Sequence, residues 1–305
     1  MAWIESCLES LRINTYPLHI ILIDNGSSDE TRNFVTQNYP WVLLLNTGKN
    51  IGFGQANNMG IKKAIEGGAE YLFLLNQDAM VEQSTIARLL KTMQNDKKIG
   101  ILSPLHFNGN GSALDNNFSN YLSQSVNEPL PKNSCRNFDE ETRLIPTTFV
   151  NAAAWMISRD CILKTGGFDP IFFHYGEDRN YCQRVLFNDF HIIIDTGTRI
   201  FHDRQERKKK ELSTQVKIRQ GSIQFLCTAC DVRLPHFLRF TIQKAVKHGV
   251  KAVLNLVRLR MNEFRFNSAM FTTIISKIPA INRSRQIYKS KESPYLPLSN
   301  QQAGN

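Results

Sequence analysis

Four acidic side chains stand where a chain of this kind could do chemistry. Asp24 closes the apolar run His19-Ile20-Ile21-Leu22-Ile23, and Asp78 closes Tyr71-Leu72-Phe73-Leu74-Leu75 through Asn76-Gln77. Glu177 and Asp178 follow the aromatic run Phe172-Phe173-His174-Tyr175-Gly176. In an open α/β sheet, ligands bind at the carboxyl ends of strands, so the first two carboxylates are delivered to a ligand-binding edge. There a carboxylate can hydrogen-bond a base or ribose, or hold a divalent cation against a diphosphate. Paired carboxylates at a helix start can supply a general base. Each also has a plain structural reading: an Asx turn for Asp24, a polar strand-to-helix turn for Asp78, and first-turn helix charge for Glu177-Asp178. Burial beside Phe172, Phe173 and Tyr175 raises a carboxylate pKa and a helix N-terminus lowers it, so sequence leaves the net sign open.

Weaker signals surround these four. Gly52-Phe53-Gly54-Gln55-Ala56-Asn57 resembles a glycine-rich dinucleotide turn but fails its spacing. A close approach to a ligand phosphate and an ordinary tight turn fit it equally. His174 and His202 are each, taken singly, surface or structural residues, and only nearness to the carboxylates gives them a role. Cys227-Thr-Ala-Cys230 has no second pair and no metal-type histidines beside it, so it reads as incidental.

The elements that must hold these residues alternate. Met1–Leu11 carries a helical face of Ile4, Cys7, Leu8 and Leu11, and a strand at 19–23 precedes a helix bearing Phe34 and Val35. A strand at 41–45 precedes a helix from about Gln55 to Ile65 that stops on Gly67-Gly68. The all-apolar run 71–75 reads as a strand buried on both faces at the centre of the sheet. A helix with Ile86, Leu89, Leu90 and Met93 and a strand at 99–102 follow. Such alternation predicts right-handed βαβ units and a mostly parallel sheet. From Pro104 to Pro146 no period appears. Order resumes in a small-residue strand at 149–157, a helix entered through Glu177-Asp178, and a strand at 191–195 with His202 just beyond it.

Length and composition suit a sizeable core: 305 residues, 42% hydrophobic and 21% charged. No apolar run approaches a membrane span, the first residues lack a signal peptide's regions, and six scattered cysteines fit a reducing cytoplasmic setting. The net charge of +10 is uneven. Residues 1–203 hold 17 Lys and Arg against 22 Asp and Glu, whereas residues 204–305 hold 20 against 5. The first part is expected to be the enzyme-type domain and the second to meet an anionic surface.

Five segments in order resemble a glycosyltransferase of the family 2 type, near its bacterial rhamnosyltransferase-like branch. They are Ile23 to Asp29, Asn50 to Asn58, Leu75-Asn76-Gln77-Asp78, Asn151 to Ile157, and Gly166 to Asp169 continuing to Gly176-Glu177-Asp178. The resemblance covers about two thirds of the chain. It implies a GT-A fold over residues 1–203 and inverting transfer of a sugar from a nucleoside-diphosphate donor, dTDP- or UDP-linked, to a glycan or lipid-linked acceptor. It implies donor-nucleotide contacts at Asp24, Asn50, Gly52 and Asn76, and Mg2+ or Mn2+ at Asp78 with His202. Asp178, then Glu177, is the implied base, and Asn151, Trp155 and His174 the acceptor side. Asn76 replaces the first acid of the family's metal motif. Relatives of this type begin with an apolar strand, whereas Met1 here already lies in the first helix, so an unpaired sheet edge is expected and an inactive, truncated relative is the competing reading.

Residues 204–289 form a basic helical extension and 290–305 a disordered tail on this reading. Val246, Val250, Val253, Leu254, Val257, Met261 and Phe264 make an apolar stripe flanked by Lys247, Lys251, Arg258 and Arg265. The stripe suits either a helix lying on an anionic membrane, with the enzyme peripheral on the inner face, or a helix packed on the catalytic domain. Arg207-Lys208-Lys209-Lys210 raises nucleic-acid binding as an outside reading, without any recognisable module beside it.

Overall fold

The computed structural model describes residues 3–125, 143–203, 213–290 and 292–298. Helix α1 (Ile4–Arg12) buries Ile4, Cys7 and Leu8, the i, i+3, i+4 face that its sequence announces. Strand β1 (Ile20–Asp24), helix α2 (Thr31–Asn38) and strand β2 (Val42–Asn46) follow, and β1 pairs β2 in parallel register from Ile20↔Val42 to Asp24↔Asn46. Helix α3 (Phe53–Glu66) then leads to strand β3 (Tyr71–Leu75), the short strand β4 (Ala79–Val81), helix α4 (Thr85–Asn95) and strand β5 (Ile99–Asn108). Helix α5 (Asn116–Ser125) and strand β6 (Leu144–Thr147) come next, then strand β7 (Ala154–Ser158), helices α6 (Arg159–Thr165) and α7 (Glu177–Phe187), and strand β8 (His191–His202).

The sheet is mixed, not mostly parallel, among the described residues. Its second part runs β3-β7-β5-β8-β4 with β6 also on β8, and β5–β8 is its parallel pair. The pairs β3–β7, β5–β7, β4–β8 and β6–β8 are antiparallel. Strand β7 enters antiparallel to both β3 and β5, so the right-handed rule for parallel crossovers does not govern its place. Strand β3 accordingly lies at an edge of this sheet and not at its centre. Among the described residues, β1–β2 stands as a separate two-stranded piece. Apolar packing from two helices joins the pieces: Leu11 of α1 packs against the clusters of both, and α3 touches Ile23 of β1 through Gly60 while Ile61 and Ile65 pack in the cluster of Leu72.

Helix α5 fills part of the stretch that sequence leaves patternless. Its buried contribution is Phe118 and Leu122, two apolar positions in an Asn- and Ser-rich segment. Beyond β8 come helices α8 (Thr214–Ala229), α9 (Phe237–Val257) and α10 (Met261–Ser290), which share a core of Phe225, Leu226, Ala245, Met270 and Ile274 with Phe172 of the first part. Residues 292–298, part of the segment expected to be a tail, pack against that first part. Leu296 is buried, the Gly167 N–H donates to the Pro294 carbonyl at 2.8 Å, and Ser293 Oγ donates to the Leu163 carbonyl at 2.9 Å. Two apolar anchors, Tyr295 and Leu296, outweigh the polar composition. The Arg207–Lys210 run lies outside the described residues.

Candidate functional site

The turn after β1 is built around one carboxylate. Asp24 is buried, its Oδ1 accepts the Ser27 N–H at 2.9 Å, and Arg32 Nε lies 3.4 Å from Oδ2. Asn25 ties this turn to the loop after β2: its Nδ2 donates to Asn50 Oδ1 at 3.2 Å, and its Oδ1 accepts the Ile51 N–H at 2.9 Å. Gly26 (φ +83°) makes the approach possible, since a Cβ there would sit 2.6 Å from the Asn50 nitrogen. Gly52 (φ +88°) packs against the Phe173 carbonyl and donates its N–H to Asn50 Oδ1 at 2.9 Å. The phosphate approach considered for Gly52 therefore finds both its N–H and its open face taken by protein.

Asp78 and His202 meet because β4 pairs with the end of β8. The register Ala79↔His202, closed by the Asp203 N–H donating to the Asp78 carbonyl at 2.8 Å, sets His202 Nε2 3.1 Å from Asp78 Oδ1. The imidazole is buried with no hydrogen-bond partner on Nδ1, and the Asp78 side chain stays partly exposed. Trp3 Nε1 donates to Asp203 Oδ2 at 3.0 Å, which closes the same corner from α1. Sequence reasoning passed over Asp203, although its place beside His202 was the available signal.

Glu177 and Asp178 open α7. The turn before them has positive φ at Tyr175 (74°) and Gly176 (94°), the latter capping the helix in the left-handed region. Glu177 is buried, one carboxylate oxygen has no hydrogen-bond partner, and desolvation pushes its pKa up to about 7. Asp178 is half-buried; desolvation raises it too, opposed by the backbone N–H groups of Arg179, 2.7 Å away, and Ala152. Desolvation thus wins over the helix N-terminus for both groups. A carboxyl raised in the fold binds more protons there than in the unfolded chain, so stability falls as pH rises from about 4.5 to 7. Glu177→Gln should remove a penalty of up to ~3 kcal/mol above pH 7. Its melting temperature should exceed that of the unsubstituted chain at pH 8 and match it near pH 4.5; an equal gap at both pH values would contradict this.

Two chains of contacts draw the corners together. The Asp24 turn holds the 46–52 loop, which packs on Phe173 and so reaches the Glu177 turn. Asn76 N donates to the Ala153 carbonyl at 2.9 Å, and the neighbouring Ala152 N–H meets Asp178. Asn151 lies in that same segment, buried, with Oδ1 unpartnered. Trp155, expected on the acceptor side, is a core residue here. It is fully buried on β7 between Phe168 and Tyr181, because β7 lies inside the sheet with Trp155 opposite Leu74. His174 is exposed, its ring tilted by 39° against that of Tyr175 with centroids 3.9 Å apart, and its pKa is lowered by desolvation and then by Arg219. The exposed surface here is aromatic: Phe173 and Tyr175 stand out beside the buried Phe172. Cys227 and Cys230 are buried thiols pushed up to about 12 by desolvation, in keeping with core positions.

No group of three or more His, Cys, Asp or Glu side chains suited to a metal occurs among the described residues. Asp78 and His202 supply one oxygen and one imidazole nitrogen. That pair fits a hard cation taking its remaining ligands from diphosphate oxygens and water, and not an all-protein cage.

A model of glycosyl transferase family 2 matches residues 2–162. Among curated relatives, the N-acetylglucosaminyl-diphospho-decaprenol L-rhamnosyltransferase of Mycobacterium tuberculosis is 29% identical over 201 residues, covering 60% of this chain and 66% of its own. The low-salt glycan biosynthesis hexosyltransferase Agl10 of Haloferax volcanii is 26% identical over 54% of this chain and 52% of its own. The O-antigen chain rhamnosyltransferase WbaN of Salmonella anatum is 22% identical over 64% and 59%. The chain thus spans less than two thirds of each. Among solved structures, GalNAc-T7 with UDP, GalNAc and Mn2+ superposes with a TM-score of 0.51 at 14% identity, over 76% of this chain and 49% of its own. TarS 1-349 of S. aureus with UDP gives 0.50 at 13% identity, over 92% and 88%. These likenesses bear on the fold, and the fold is the GT-A arrangement expected from the sequence.

Proposed function

We propose, because this chain belongs to glycosyl transferase family 2, that it transfers a sugar with inversion from a nucleoside-diphosphate donor to a glycan or lipid-linked acceptor in surface-polysaccharide synthesis. The observation that carries this reading is the β4–β8 pairing, which sets Asp78 beside His202 at the sheet end that Asn76 and Ala152-Ala153 link to Asp178. A nucleoside diphosphate leaves poorly until its charge is neutralised, and a Mg2+ or Mn2+ ion supplies that neutralisation when bound. Asp78 and His202 would hold the cation, and the two-residue donor set leaves coordination positions for the diphosphate.

Asp24, with the Asn25–Asn50 knot around it, holds the donor's base or ribose at the neighbouring edge. Asp178 takes the proton from the attacking acceptor hydroxyl. Its raised pKa strengthens it as a base, and it is less buried than Glu177, which favours it as the group that meets a substrate. The exposed rings of Phe173 and Tyr175, with His174, offer apolar faces on which an acceptor sugar can lie. The rhamnosyltransferases among the relatives make a rhamnose donor, dTDP- or UDP-linked, the first to try.

The test is calorimetric titration with UDP and with dTDP, with and without Mn2+, followed by NMR assignment of the product anomer. Cation-dependent binding of one nucleotide and an inverted product are expected. A retained anomer would overturn the mechanism. Binding without turnover, by a folded chain, would favour the non-catalytic relative.

A further inference from the structure

We propose that the outward face of α9, extended by two side chains of α10, seats this chain on an anionic lipid surface. Helix α9 packs on its neighbours through Thr241, Ala245 and Ala252, and its opposite side carries Ile242, Val246, Val250, Val253 and Val257. Those five recur at spacings of four, four, three and four residues, a single stripe along one helix face. All are exposed, Val253 at 62% and Val257 at 76%. Packing on the catalytic part, the competing explanation of this periodicity, therefore does not account for it. The patch is also wider than one helix. Leu254 is exposed on its flank, and the Phe271 ring approaches Gly249, where a Cβ would lie 3.3 Å away, so exposed Phe271 and Ile275 continue the apolar surface across to α10. From Ile242 to Val257 the stripe runs on the order of 20 Å.

Charge selects the occupant. Lys244, Lys247 and Lys251, with Arg258 at the helix end, recur along one flank of the stripe, all exposed, and α9 contains no acidic residue. In the 30 residues of α10 there is a single acid, Glu263. An apolar stripe bordered by a basic row fits a bilayer interface, where the stripe enters the acyl boundary and the ammonium groups stay among anionic headgroups. A partner of the same kind as this chain would bring basic row against basic row. None of the described helices is long and apolar enough to cross a membrane, so the fit is to lying on the surface.

The patch is coupled to the catalytic end through α8. Cys227 Sγ lies 3.6 Å from the Gly176 carbonyl, and the Arg219 guanidinium stacks 5.2 Å from the Tyr175 ring. On the reading given above, a chain held by α9 presents the Glu177-Asp178 turn at a fixed attitude to lipid-borne acceptors. The lipid contact itself is tested without catalysis.

The experiment is flotation of the full chain with vesicles of phosphatidylcholine alone or with phosphatidylglycerol, at about 0.1 M salt. Strong binding to the anionic vesicles only is expected. Val250→Gln with Val253→Gln and Val257→Gln should lower the bound fraction at least tenfold without shifting the melting temperature. Lys247→Gln with Lys251→Gln should weaken binding roughly fivefold per charge. The proposal fails if the native chain does not float, or if the valine variant floats as well as the native chain, which marks simple polyanion attraction. It also fails if the native chain sediments as a dimer that the valine variant dissociates, which assigns the face to a second copy.

Discussion

Asp178→Asn should lower kcat by about 10²–10⁴ while leaving the donor KM nearly unchanged. The substitution keeps the shape of the side chain and an oxygen to accept the Arg179 N–H, so the α7 N-terminus should stay folded. What it removes is the acceptor of the substrate proton. Burial raises the Asp178 pKa, so the acid limb of the native pH–rate profile should lie above the ordinary carboxylate range. That limb should vanish in the variant. Glu177→Gln is the control: if it abolishes turnover and Asp178→Asn does not, the base is the buried neighbour and the assignment reverses.

The second large effect belongs to Asp78. Asp78→Ala should lower kcat/KM by about 10²–10³, in the range for loss of one group that stabilises developing charge. A chelator should silence the native chain, with activity restored by Mn2+ or Mg2+, while the variant should need far more cation for its residual rate. His202 would lose its carboxylate neighbour at 3.1 Å, so the variant's fold must be checked by circular dichroism before its rate is interpreted. Full activity of the variant, or activity indifferent to chelation, would sink the cation site.

Much of the site was legible because the relevant residues punctuate apolar runs. Asp24 and Asp78 follow strands whose hydrophobicity is nearly unbroken, and Glu177-Asp178 open a helix behind glycine, so position along each element followed from composition. Direction did not follow. Nothing in the side chains of Ala154–Ser158 states that this strand enters antiparallel between β3 and β5, and that insertion puts Trp155 in the core and β3 at an edge. Burial of neighbours within one aromatic run was equally hidden. Phe172 joins the core beneath α8 while Phe173, adjacent and of the same type, faces solvent. The stripe on α9 shows the same blindness, since a 3.6-residue period fixes which residues share a face but not what covers it.

The division of the sheet has a consequence for how tightly a donor can be held. The β1–α2–β2 unit carries Asp24 and, among the described residues, shares no strand ladder with β3; side-chain packing on α1 and α3 holds it. Packing without a hydrogen-bonded ladder gives such a unit its own, lower opening free energy, as in a locally unfolding foldon. On the proposed reading, a nucleotide that touched both Asp24 and the Asp78 corner would bind only the closed fraction, so its apparent dissociation constant would be the intrinsic one divided by that fraction. Such a ligand would act as a clasp across the two halves, and its affinity would measure how often they are in register.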